Sequence, residues 1–133
     1  MSACLLPTTR LDPEGYVLLV IDDPFLRRTV RPQVAALGLP LQEGLSVRRA
    51  LARVASALPS LVLLDLWVDH GEGLGFLESL RTRDPGRLIP VMLVGDDPRA
   101  DVQLSAFSLG ATGPIPFAEV ARLGPWLEKA LAS

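Results

Sequence analysis

The sequence has little of what several common kinds of function require. Cys4 is the only cysteine, so an internal disulfide is excluded, and one such ligand makes no metal site. His70 is the only histidine, and no Ser or Cys nucleophile is placed beside it to form a recognisable triad. We therefore predict no catalytic residue and expect that the chain is not an enzyme.

Long apolar runs and an excess of positive charge are missing as well. No run reaches the roughly 18–20 apolar residues of a membrane span. The first residues lack a basic segment followed by an apolar stretch, so no signal peptide is predicted. The net charge of −2 predicts neither a nucleic-acid partner nor an anionic membrane surface. With a single cysteine, a cytoplasmic location is expected.

The composition is that of a globular domain. Hydrophobic residues make up 49% of the 133 residues and charged residues 21%, which is enough apolar material for one sizeable core. Residues 1–14 are predicted to form a lead-in segment, and residues 15–133 one domain.

Short apolar runs alternate with amphipathic segments along the chain. The runs "YVLLVIDD", "LVLLDL" and "IPVMLVG" predict buried strands, and "LPLQ" and "GPIP" predict shorter ones. Strand and helix alternate about five times, which predicts a doubly wound α/β fold with helices on both faces of a five-stranded parallel sheet. The expected strand order is the flavodoxin-like 2-1-3-4-5.

Two helices carry recognisable signals at or near their ends. Asp23 is a predicted N-cap of the first helix, with Pro24 at its first position. Pro32, within the same helix, predicts a kink. In the last helical segment, Gly124 and Pro125 predict an interruption.

Carboxylates follow two strands that the predicted order makes neighbours. Strand 1 ends in Asp22 and Asp23, and strand 3 ends in Asp65. Because the carboxyl ends of parallel strands share one edge of the sheet, the three groups are expected to meet at the switch point. Such a cluster is tolerable around a hard cation such as Mg²⁺. The alternative is that Asp22 and Asp23 only cap the first helix.

Taken together, four segments resemble the receiver domain of two-component response regulators. They are "VLLVIDDPFLRRTV", "LVLLDLWVDHGEGLGFLESLR", "IPVMLVG" and "SLGATGPIPF". The resemblance implies that Asp65 is the phosphoacceptor. It also implies that Asp22, Asp23, Asp65 and the backbone carbonyl of Trp67 bind Mg²⁺, and that Gly73 is the glycine found beyond the phosphoacceptor.

The resemblance also implies the partners. A histidine kinase or phosphotransfer protein would supply the phosphoryl group, and a downstream protein would read the signal by contact in a phosphorelay. No DNA-binding or membrane segment is predicted, so a stand-alone receiver is expected. A homodimer is a further form that the resemblance allows.

The sequence departs from the receiver pattern at the positions that read the phosphoryl group. Receivers have Thr or Ser at the end of strand 4, where this chain has Gly95, and Lys before a proline after strand 5, where it has Ile115 before Pro116. Asp69 replaces a usual proline. Arg99 is a candidate replacement for the lysine, although the sequence alone does not place it at the site.

These departures leave three functions open. The first is a working receiver that accepts a phosphoryl group on Asp65. The second is a degenerate pseudo-receiver that serves as a protein interaction module independent of phosphorylation. The third is a small Mg²⁺-dependent phosphohydrolase with Asp65 as nucleophile, since a fold does not dictate a function.

Overall fold

The computed structural model describes residues 15–83, 89–95 and 99–132. They form a five-stranded sheet in the order β2-β1-β3-β4-β5, and every strand pair is parallel. The strands are β1 (Val17–Val20), β2 (Leu41–Glu43), β3 (Leu61–Leu64), β4 (Val91–Val94) and β5 (Thr112–Ile115). The predicted fold class and strand order are confirmed. The predicted lead-in, residues 1–14, lies outside the described residues.

Five α-helices connect or follow the strands. They are α1 (Pro24–Ala35), α2 (Val47–Ser56), α3 (Gly73–Thr82), α4 (Ala100–Ser108) and α5 (Gly124–Ala132). A helical turn at Val68–Gly71 precedes α3, and a 3₁₀ helix at Phe117–Arg122 precedes α5. The predicted interruption at Gly124 and Pro125 is the boundary between that 3₁₀ helix and α5. Within the described ranges, no helix is both long enough and apolar enough to cross a membrane.

The central strands are apolar throughout because both faces of the sheet are covered. Successive residues of a strand point to opposite faces. In β1, Leu18 and Val20 belong to one core cluster, and Val17 and Leu19 belong to the other. All residues of β1 and β3 are completely buried. A continuous apolar run, rather than an alternating one, is therefore what these two strands require.

Helix α1 covers one face through a stripe of residues four positions apart. Leu26, Val30 and Val34 are fully buried against the cluster that contains Val17 and Leu19. The helix does not end at Pro32 but continues to Ala35. A proline removes only one backbone donor, and Pro32 lies on the exposed side of the helix, away from the buried stripe.

The opposite face is covered by α2, α3 and α4. Ala50 and Val54 of α2, Phe76, Leu77 and Leu80 of α3, and Ala106 of α4 belong to one core cluster. Helices on both faces, joined by crossovers, leave the carboxyl ends of the strands open for a site.

Tyr16, just before β1, ties α2 to the sheet. Its hydroxyl group donates to the carbonyl oxygen of Ala57 at 2.6 Å, and the carbonyl oxygen of Arg53 lies 3.3 Å away. Ala57 is the C-cap of α2, where a carbonyl has no partner within the helix, whereas the carbonyl of Arg53 also accepts from the N–H of Ala57 at 3.1 Å. Burial raises the pKa of the Tyr16 hydroxyl above its usual value of 10.0, and the positive charge of Arg53 acts in the opposite direction.

We expect Tyr16→Phe to lower the free energy of unfolding by about 1 kcal/mol at neutral pH, because the carbonyl of Ala57 loses its donor. Because the pKa of Tyr16 is raised on folding, the unfolded chain ionises first as the pH passes about 10, and the wild type loses stability there. The phenylalanine variant has no such loss. Urea unfolding of both proteins from neutral pH to about pH 11 should show the difference between them shrinking. A constant difference would contradict the raised pKa.

Candidate functional site

Asp65 is held at the point where β3 leaves the core. Its backbone N–H donates to the carbonyl oxygen of Val20 in β1 at 3.1 Å, so it continues the β1–β3 pairing by one residue. Across the described residues it is the only charged residue that is buried, with 8% of its surface exposed. A buried carboxylate is costly unless polar groups solvate it.

The Asp65 carboxylate is held against the backbone of the next turn and the end of β4. Oδ1 accepts a hydrogen bond from the backbone N–H of Trp67 at 2.9 Å. A Cβ atom on Gly95 would lie 3.7 Å from the same oxygen and 3.7 Å from Leu26 Cδ1. Asp65 Oδ1 and the first turn of α1 therefore both lie beside Gly95 at the end of β4.

The two acidic residues after β1 have different local roles. Asp23 is the N-cap of α1, and its Oδ1 accepts from the N–H of Leu26 at 3.0 Å. Asp22 is exposed, and its Oδ2 accepts from the N–H of Asp69 at 2.9 Å. The capping alternative therefore describes Asp23 but not Asp22, which is bonded to the loop after β3.

The predicted magnesium ligands lie at the carboxyl ends of the neighbouring strands β1 and β3 but do not form a tight cluster. No group of three or more His, Cys, Asp or Glu side chains in the described segments is arranged to hold a metal ion. The carbonyl oxygen of Trp67 accepts from the N–H of Gly71 at 3.1 Å. Carboxylate and carbonyl oxygens nevertheless match Mg²⁺, which keeps several waters and needs only one or two carboxylates. The donor chemistry at this edge therefore fits that ion.

Asp69 connects Asp22 with the start of α2, a role that the sequence did not predict. Its N–H donates to Asp22, and its own Oδ2 accepts from the N–H of Val47, the first residue of α2, at 3.2 Å. Asp69 and His70 adopt φ values of 55° and 61°, in the left-handed region. Proline cannot replace Asp69 in this conformation because its ring fixes φ near −65°. The replacement of the usual proline was the one signal in the sequence.

Gly73 is required by close approach rather than by flexibility. Its N–H donates to the carbonyl oxygen of Leu66 at 3.2 Å. A Cβ atom at this position would lie 2.6 Å from Leu66 Cα and 2.9 Å from the carbonyl oxygen of Asp65. The first turn of α3 therefore rests directly on the backbone that carries Asp65.

The residues at the predicted switch positions are apolar or have no side chain. Gly95 is buried, has a φ of 94°, and donates its N–H to the carbonyl oxygen of Ile115 at 2.8 Å. Ile115 is fully buried in the core, and Pro116 follows it as the N-cap of the 3₁₀ helix. A cis peptide bond joins Gly113 and Pro114. None of these side chains supplies a hydroxyl or an ammonium group.

Arg99 lies against the segment that follows Asp65. The carbon at the centre of its guanidinium group lies 4.0 Å from the centroid of the Trp67 ring. Its Nη2 donates to the carbonyl oxygen of Leu66 at 3.3 Å. The structure thus brings a cation to the loop that follows Asp65, where the sequence alone does not place it.

Gly73→Ala should lower the free energy of unfolding by about 1–3 kcal/mol, because the added methyl group collides with backbone atoms that have no room to move. Gly75→Ala is the matched control in the same helix, since its Cβ would meet only Glu72 Oε1 at 3.8 Å. The control should gain up to about 1 kcal/mol from helix propensity. Chemical denaturation of the three proteins measures both changes, and equal effects would contradict the close approach.

Asp69→Ala should lower the free energy of unfolding by about 1–2 kcal/mol, because the first N–H of α2 loses its acceptor and alanine disfavours the left-handed backbone. Asp69→Asn keeps an acceptor oxygen and tolerates that backbone, so it should stay within about 0.5 kcal/mol of the wild type. Thermal unfolding at one pH compares them. A loss in the asparagine variant as large as in the alanine variant would assign the effect to the charge instead.

Comparisons with known proteins agree with this geometry. No family model matches the chain. The KDP operon transcriptional regulatory protein KdpE of Escherichia coli is 28% identical over 95 residues, which is 71% of this chain and 41% of KdpE. The DNA-binding transcriptional regulator NtrC of Salmonella typhimurium is 28% identical over 102 residues, which is 77% of this chain and 21% of NtrC. The chain thus spans less than half the length of these curated relatives.

Solved structures show the same fold. The crystal structure of NtrX from Brucella abortus superposes with a TM-score of 0.75 at 27% identity, covering 88% of this chain and 26% of NtrX. A CheY-like receiver domain protein from Methanospirillum hungatei gives a TM-score of 0.76 at 19% identity and supports the fold alone. Together with the strand order and the buried Asp65 at the end of β3, these similarities support a receiver domain of the response-regulator type.

Proposed function

We propose that this receiver domain takes part in two-component signalling by accepting a phosphoryl group on Asp65. The observation that carries the proposal is the burial of this one carboxylate at the carboxyl end of β3, with Oδ1 held by the N–H of Trp67. A carboxylate that only marks the end of a buried strand would be solvent-exposed, as the Asp22 residue after β1 is.

The proposed donor is a phosphohistidine on a histidine kinase or a phosphotransfer protein. An oxygen of Asp65 attacks the phosphorus, the P–N bond breaks, and an acyl phosphate forms while the leaving imidazole takes up a proton. The N–H of Trp67 fixes the orientation of the carboxylate during attack. The chain would then pass its state by contact to a downstream protein.

Mg²⁺ is the cofactor in this proposal. Its ligands would come from Asp22, Asp23, Asp65 and the backbone carbonyl of Trp67, and when bound it supplies positive charge beside the transferred group. Because Asp23 also caps α1 and Asp22 accepts from Asp69, each has one oxygen engaged in the protein and a second oxygen with which it would bind the ion.

A second candidate function is a pseudo-receiver that works as an interaction module without phosphorylation. The observation that favours it is the pair Gly95 and Ile115, since a residue with no side chain and a buried aliphatic side chain offer the phosphoryl group no hydrogen bond. This module would keep the fold and its contact surfaces but would not change state on phosphorylation.

We expect acetyl phosphate with Mg²⁺ to add one phosphoryl group to the wild type, measured by intact-protein mass. Asp65→Asn should show no adduct because the amide is not a nucleophile. Asp101→Asn, an exposed aspartate in the first turn of α4, is the matched control and should be modified as the wild type is.

Other outcomes separate the alternatives. Absence of an adduct on a folded wild type would overturn the phosphoacceptor proposal and favour the interaction module. An adduct that persists in Asp65→Asn would place the acceptor elsewhere. Steady hydrolysis of a phosphate ester, lost in Asp65→Asn, would instead support the phosphohydrolase alternative.

A further inference from the structure

Phosphorylation of Asp65 would leave strong negative charge at a site that already contains carboxylates. A phosphoryl group carries about −1.5 to −2 charges at neutral pH. Asp22 and Asp23 lie at the end of the neighbouring strand, and Asp69 is bonded to Asp22. The position where receivers have lysine is filled by Ile115, whose side chain is part of the core. A side-chain cation that offsets this charge together with Mg²⁺ would therefore have to come from another part of the chain.

Arg99 is held at this place by two contacts with the residues directly after Asp65. Its Nη2 donates to the carbonyl oxygen of Leu66 at 3.3 Å, and its guanidinium group stacks on Trp67 with 4.0 Å between the guanidinium carbon and the ring centroid. The N–H of the same Trp67 holds Asp65 Oδ1 at 2.9 Å. One residue thus connects the cation and the phosphoacceptor.

Gly71 provides the space for the guanidinium group. A Cβ atom there would lie 3.1 Å from Arg99 Nη1 and 3.5 Å from two atoms of the Trp67 ring. A side chain at this position would crowd the stack. The indole ring, the Leu66 carbonyl and the space left by Gly71 therefore act together to place Arg99.

A stacked guanidinium group is suited to binding a phosphoryl group. Its five N–H donors lie in one plane, so a ring can cover the face while the edge donates to oxygen atoms. Guanidinium groups bind phosphate oxygens through paired, charge-assisted hydrogen bonds. Trp67 is 43% exposed, so the stack lies at the surface where a phosphodonor would approach.

We propose that Arg99, stacked on Trp67, binds the phosphoryl oxygens on Asp65 and takes over the role of the missing lysine. This inference rests on the proposed function of Asp65. Arg99 lies between β4 and α4. It is therefore not at Gly95 or Ile115, the positions predicted for the hydroxyl and the ammonium group of receivers.

Binding of beryllium fluoride with Mg²⁺, a stable mimic of the phosphoryl group, tests this role, with the bound species measured by fluorine NMR. We expect Arg99→Ala to weaken binding about 10- to 100-fold through loss of charge-assisted hydrogen bonds. Arg99→Lys keeps the charge without the planar donors and should be intermediate. Arg83→Ala, an exposed arginine at the end of α3, is the control and should bind as the wild type does.

Addition of millimolar guanidinium chloride to Arg99→Ala gives a readout that a purely structural role would not change. The free ion should restore part of the lost binding, whereas sodium chloride at the same ionic strength should not. Thermal unfolding checks that the variant is folded.

The outcomes separate this inference from the proposed function. If the wild type binds the mimic and folded Arg99→Ala binds it with the same affinity, the role of Arg99 is overturned. The proposal that Asp65 is the acceptor would then stand. Weakened binding that guanidinium does not restore beyond the salt control would also overturn direct contact. If the wild type binds no mimic and forms no adduct with acetyl phosphate, both proposals fail.

Discussion

Burial of a single carboxylate is the constraint on which the rest of the site depends. Asp65 ends a strand whose residues are completely enclosed, so its charge can be tolerated only where backbone and neighbouring elements provide polar contact. The N–H of Trp67 provides one such contact, and this requires the chain to turn immediately after Asp65. Gly73 then allows α3 to lie directly on that turn. The position of α3 thus depends on the turn that the burial of the Asp65 carboxylate requires.

The departures from the receiver pattern all follow Asp65 in the chain, and two residues of that part of the chain make specific contacts. Asp69 stands where a proline is usual, donates its N–H to Asp22 and accepts from the first N–H of α2. Arg99 stacks on Trp67, and the buried Ile115 occupies the position predicted for the usual lysine. The predicted positions of the standard groups thus carry no polar side chain, while Asp69 and Arg99 make specific contacts with the segments around Asp65.

The strands could be predicted from the sequence because parallel strands covered on both faces must be continuously apolar, as β1 and β3 are. The strand order was expected from the doubly wound fold class rather than from these runs. The N-cap at Asp23 could also be predicted, because Pro24 and the strand before it mark the start of the helix within a few residues. Pro32, where a kink was predicted, lies inside α1, and the helix continues past it to Ala35 because its buried stripe extends to Val34. The contacts of Asp69 and Arg99 could not be predicted, because they join segments distant in the chain through a left-handed turn and a stacked ring.

The two hydrogen bonds of Asp69 have a thermodynamic consequence. The Asp22 oxygen that accepts from the Asp69 amide is connected through Asp69 to the first N–H of α2, which the Asp69 carboxylate holds. A ligand whose binding moves Asp22 would therefore also move the start of α2, and such linkage is reciprocal. A protein that binds α2 would then change the affinity of Asp22 and Asp23 for that ligand by the same factor by which the ligand changes the affinity for the protein.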